Sequence, residues 1–121
     1  MIQIRNKTTG LYDIRGHHGK ACWTDKQHKR GTWGCIAHAK THICQCIRGW
    51  GIYIDEVENY LDSEFVIVEG DIYAGNLNVK TEDVSGYIIE KLKEYLEYYN
   101  KYPNDYKEYR EYCKETIEKY S

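Results

Sequence analysis

A chain of 121 residues with one Phe, one Met and one Pro against thirteen Tyr and three Trp has room for one modest core. It must build that core largely from rings that keep a polar tip. Its longest apolar run, FVIV at Phe65 to Val68, is too short to cross a bilayer, and MIQIRNKTTG lacks the apolar stretch of a secretory leader. Net charge is −2, yet residues 1–50 carry nine Lys or Arg against two acidic side chains (+7), and residues 51–121 carry eight against seventeen (−9). That polarity implies two surfaces with different electrostatic partners, or halves that attract one another. Five cysteines without a leader imply reduced thiols in a reducing cytosol rather than a disulfide framework.

In chain order, Ile2–Arg5 and Leu11–Ile14 flank KTTG and predict a β-hairpin, with Gly10 in the turn. KACWT adds a third strand after GHHG, and the basic stretch DKQHKRG leads to Trp33. Ile36, Ala39, Ile43 and Ile47 recur at helical spacing, which predicts a helix from Cys35 to Cys46 that stops at Gly49–Gly51. Strands are expected at Gly51–Asp55, Phe65–Val68 and Ile72–Tyr73, and GNLN (Gly75 to Asn78) marks a turn. Thr81 reads as an N-cap, with Glu82 and Asp83 in the first helical turn. Val84, Ile88, Leu92, Tyr95, Leu96 and Tyr99 form one apolar stripe, and Tyr106, Tyr109, Cys113, Ile117 and Tyr120 a second, with a hinge at Tyr102–Asn104. The expected fold is α+β: a small antiparallel sheet with one packed helix, followed by a C-terminal antiparallel helical hairpin. The expected division is a basic Cys/His-rich module over 1–80 and an acidic, Tyr-rich hairpin over 81–121.

GCIAHAKTHICQC, residues 34–46, concentrates three cysteines and two histidines. On a helix Cys35, His38, His42 and Cys46 share one face, and imidazole and thiolate are the ligands zinc favours. Cys35 and Cys46 stand roughly 16 Å apart along the axis, so one ion takes only some of them. Cys22 on the third strand is the next expected ligand, then His17 and His18. A structural zinc would staple a small core. The competing reading makes the cysteines small core residues. HAKTH carries Ala39 where a zinc peptidase needs its general-base Glu, and neither a nucleophile elbow nor a phosphate loop is present, so no catalytic residues are assigned.

Two surfaces remain. Lys26, Lys29, Arg30 and Trp33 combine phosphate-seeking charge with a ring for base stacking, the pattern of a zinc-bearing nucleic-acid-binding regulator. Glu90, Glu94, Glu97, Glu108 and Glu111 with Tyr98, Tyr102, Tyr106 and Tyr112 instead suit a basic protein groove, as carboxylate rows that imitate a phosphate backbone with aromatic anchors between them.

The opening IRNKTTGLYDIRG, the strand CWTDK, then GTWG and a helix with HAKTHI resemble a module of small phage and mobile-element proteins. The resemblance covers residues 2–47, and proteins with such openings and variable tails are similar to anti-CRISPR inhibitors of Cas9-type nucleases. It implies a stoichiometric inhibitor with no catalytic site, which binds a Cas9-type nuclease or its guide-RNA complex and blocks nucleic-acid recognition. The cysteine richness departs from that module, and the departure points to a metal-stabilised variant.

Overall fold

Alternation writes the first strands. In β1 (Ile2–Asn6) the side chains of Ile2, Ile4 and Asn6 fall on one face, all buried, and β2 (Tyr12–Arg15) returns beside it. Asn6 folds the connection: its Oδ1 accepts the N–H groups of Thr8 and Thr9 at 3.0 Å, and Gly10 takes φ +72° to close the turn. The computed structural model describes residues 1–16, 20–70 and 73–120, so His17 and His18 lie outside the described residues. β3 (Ala21–Thr24) pairs with β2, β4 (Ser63–Glu69) with β1, and β5 (Asn78–Asp83) with β4. The result is one antiparallel sheet of order β3-β2-β1-β4-β5.

Among the described residues four helices complete an α+β fold: α1 (Ile36–Ile47), α2 (Ile54–Leu61), α3 (Ser85–Tyr99) and α4 (Lys107–Lys119). They share a core with the sheet face that carries Ile2, Ile4, Phe65 and Ile67. Ala39, Ile43 and Ile47 come from α1, Val57, Tyr60 and Leu61 from α2, Ile88, Leu92 and Tyr95 from α3, and Cys113 from α4. That single core spans both predicted modules, and the boundary at residue 80 falls inside β5. Over the opposite face of β2 lies the segment before Trp33. Gly31 is required there, because a Cβ would stand 2.8 Å from Ile14 Cγ2 and 2.9 Å from the Asp13 carbonyl. Among the described residues no helix is long and apolar enough to cross a membrane.

Several expectations need correction. Gly51–Asp55 is no strand: an isolated bridge joins Arg48 to Ile52, and α2 follows with Asp55 and Glu56 in its first turn. Ile72 lies outside the described residues, and Tyr73 sits in a turn rather than a strand. The partner of β4 is β5, whose polar sequence NVKTED shows no apolar alternation because both of its faces are exposed. Thr81, Glu82 and Asp83 therefore belong to a strand, and α3 starts only after Val84, whose N–H is bound by the Ser63 carbonyl at 3.0 Å. The expected hairpin is present as α3 and α4, antiparallel neighbours joined through Pro103.

Candidate functional site

Two regions gather the side chains with chemistry. The first is buried between the sheet and the helices. Asp13 on β2 is fully buried and accepts three hydrogen bonds: from Tyr60 Oη at 2.6 Å, from His42 Nε2 at 2.8 Å and from the Cys22 backbone N–H at 3.2 Å. Cys46 Sγ lies 3.5 Å from the same Nε2, one helical turn from His42. Trp33 covers the imidazole with ring centroids 5.0 Å apart, and Trp23 covers Tyr60 at 5.3 Å. Burial alone would lower the His42 pKa, but the hydrogen bonds and charges of Asp13 and Cys46 outweigh it and raise it to about 9. The ring is thus an imidazolium paired with a carboxylate at neutral pH. Burial, with the charge of Asp13 behind it, also pushes the Tyr60 phenol far up, so Tyr60 stays a donor. Because Nε2 faces both Asp13 and the thiol, and Nδ1 reaches Sγ only at 3.9 Å, the imidazole does not stand between thiol and carboxylate as a proton relay needs. The arrangement is a charged tie across β2, α1 and α2.

This tie also bears on the expected zinc set. His42 is committed to Asp13. Cys22 is exposed, and the strand pleat turns it to the opposite face from its neighbour Trp23, which packs on the core, so the third strand does not bring it to α1. Cys35 and His38 are exposed at the start of α1, while Cys46 is buried near its end. Among the described residues no three His, Cys, Asp or Glu side chains converge to hold a metal ion, and all five cysteines are thiols. Asp13 and Tyr60 were not singled out from sequence; the alternation of β2 was the only signal pointing Asp13 inward.

The basic stretch is a single 3-10 turn, Lys29–Gly31, capped by His28, whose Nδ1 accepts the Arg30 N–H at 3.1 Å. Lys26, Lys29 and Arg30 are exposed. Trp33 is not: it is 5% exposed, sandwiched between His42 and the Arg15 guanidinium, 4.9 Å from its ring. The loop keeps its charge but has no stacking ring.

The second region is the hinge end of the helical hairpin. Tyr98, Tyr99, Tyr102, Tyr106 and Tyr109 form a lattice of rings with centroids 4.8 to 6.4 Å apart. Arg48, at the end of α1, lays its guanidinium over Tyr95 at 4.6 Å and Tyr98 at 4.8 Å. Gly51 abuts the ring of Tyr109, which brings the α1–α2 connection to the same end. Trp50 in that connection is 99% exposed, and Tyr53, Tyr98, Tyr102 and Tyr106 are each more than 40% or at 40% exposed. Tyr106 caps α4 with a left-handed backbone, φ +61°, the one non-glycine with positive φ among the described residues. Beside the lattice runs a groove of about 1180 Å³ lined by Arg48, Tyr53, Asp55, Glu56, Glu108 and Tyr109 among others.

Of the predicted partner-binding residues, Glu90, Glu94 and Glu97 on α3 and Glu108 and Glu111 on α4 are all exposed. Glu94 is held by Lys91 at 3.0 Å and Glu111 loosely by Lys107 at 4.0 Å; Glu90, Glu97 and Glu108 hold no ion pair among the described residues. Tyr112 is no free anchor, for its hydroxyl donates to Glu58 at 2.7 Å and ties α4 to α2. The hairpin is less acidic than its image: residues 84–120 carry eight carboxylates against seven Lys or Arg, whereas residues 54–83 carry nine against Lys80 alone. Part of that acid meets the basic N-terminal segment directly, in Arg5–Glu64 at 2.6 Å and Lys7–Asp83 at 3.0 Å. No family model, curated protein or solved structure matches the chain.

Proposed function

We propose that the chain is a stoichiometric protein inhibitor of the anti-CRISPR kind, which docks the hinge end of its helical hairpin onto a basic, nucleic-acid-handling surface of a Cas9-type nuclease. The observation that carries this reading is the exposed aromatic lattice. Trp50, Tyr98, Tyr102 and Tyr106 stand in water on a fixed scaffold of helices, and large exposed rings of this type dominate protein interfaces. Asp55, Glu56 and Glu108 in the adjoining groove, with Glu97 and Glu111 beyond it, supply carboxylates for the arginines such a surface presents. The N-terminal resemblance supplies the class of target, and the surface supplies the means. No bond is made or broken in this mode of action; inhibition is occupancy.

The test is a titration of nuclease against DNA cleavage. The unaltered protein is expected to inhibit near equimolar ratio, Trp50→Ala with Tyr102→Ala to weaken inhibition at least about tenfold, and Lys26→Glu with Lys29→Glu to leave it unchanged. Salt-sensitive binding of bare DNA, lost in the loop reversals while no nuclease complex is inhibited, would sink this reading.

A further inference from the structure

We propose that β5 is a self-pairing edge through which two copies of the chain join their sheets about a two-fold axis at Thr81. This rests on the strand alone and is independent of the hinge-end surface. β5 is paired with β4 over its whole length, Asn78 to Asp83, and on its other side no strand lies among the described residues. All six of its residues are exposed on both faces, so no described part of the molecule covers it. Such an edge is a row of unmet N–H and C=O groups.

The register follows from geometry and charge. In an antiparallel pair, facing residues either both direct their backbone groups into the shared ladder or both direct them away. That direction alternates along a strand, so a two-fold pairing must set one residue against its own copy on the axis. Two such registers centre the ladder on β5, with the axis at Lys80 or at Thr81. The first stacks Lys80 on Lys80 of the second copy, which like charge disfavours. The second sets Lys80 against the second copy's Glu82, and by symmetry does so twice. Lys80 is 59% exposed and holds only a loose contact of 3.9 Å to Glu69, and Glu82 has no ion pair among the described residues, so both charges are available. In this register Asp83 faces Val79 of the second copy, with its own charge already met by Lys7 at 3.0 Å. The two five-stranded sheets then run on as one.

The experiment is sedimentation or native mass spectrometry of the intact chain over rising concentration. The expected result is a doubling of the 14.4 kDa mass. Lys80→Glu and Glu82→Lys, each alone, are expected to weaken association at least about tenfold. The two together reverse both signs and are expected to restore it. Both side chains are exposed, and far-UV circular dichroism checks that each variant is folded. A chain that stays monomeric into the millimolar range, single reversals that dimerise like the unaltered protein, or a double reversal that does not recover, would each overturn the proposal.

Discussion

Asp13, His42 and Tyr60 bury one negative and one positive charge with a phenol between the sheet and two helices, and every oxygen of the carboxylate is met. At the hinge end of the hairpin Tyr98, Tyr102, Tyr106 and Trp50 do the reverse: the three tyrosines stack on one another and stay 40–43% exposed, and Trp50 is 99% exposed. The first region has little tolerance, since a buried charge without its partner is costly. In the second, folding tolerance is greatest at Trp50, whose side chain meets solvent almost entirely. A chain with one Phe and one Met thus uses its aromatics both ways: Tyr60 is buried with its hydroxyl on Asp13, while Trp50 is left 99% exposed.

The strongest way to break this comparison is His42→Ala, which strands the Asp13 carboxylate. It is expected to cost about 3–5 kcal/mol in denaturant melts, and Tyr60→Phe about 1.5–3 kcal/mol. A loss below about 1 kcal/mol for His42→Ala would mean that the pair is not a charged tie.

Next comes pH. His42 has a folded pKa of about 9 against 6.5 for the free side chain. Below pH 6.5 both states are protonated and the contribution is complete; between 6.5 and 9 the folded state alone keeps its proton, so stability falls as pH rises through that window. The drop is expected to be about 3 kcal/mol in all, measured by melts at a series of pH values. A flat profile there would show a neutral imidazole instead.

The smallest effect on stability, and the sharpest contrast, is expected at the hinge. Trp50→Ala should change stability by no more than about 0.5 kcal/mol while costing about 2 kcal/mol or more in nuclease binding by calorimetry. If the melt moves and the binding does not, the exposed lattice is a structural element.

Periodic segments were legible in the sequence. The hairpin of β1 and β2, the third strand, α1 and both long helices follow from spacings of two and of three or four that survive in the burial pattern. α2 was missed because its eight residues follow a Gly-rich turn and carry too few apolar repeats to outvote a strand reading. β5 was missed because an edge exposed on both faces needs no pattern. In the site, the shared face of His42 and Cys46 was readable from their i,i+4 spacing, but the partner that decides its chemistry lies 29 residues away on another element. Trp33 and Trp50 show the same limit: identical side chains, one 5% and one 99% exposed, with only tertiary packing to tell them apart.

Tyr106 at φ +61° is an elbow loaded against its own backbone. A left-handed conformation costs an L-residue with a Cβ about 1–2 kcal/mol, and the Tyr106 ring packs against Tyr99 at 4.8 Å and Tyr102 at 6.0 Å. Tyr106→Gly would relax the joint and delete the ring in one step, so the two effects oppose. Stacked rings as well as Pro103 thus stand at the hairpin's bend, and anything that gripped those rings would also grip the angle between the two helices.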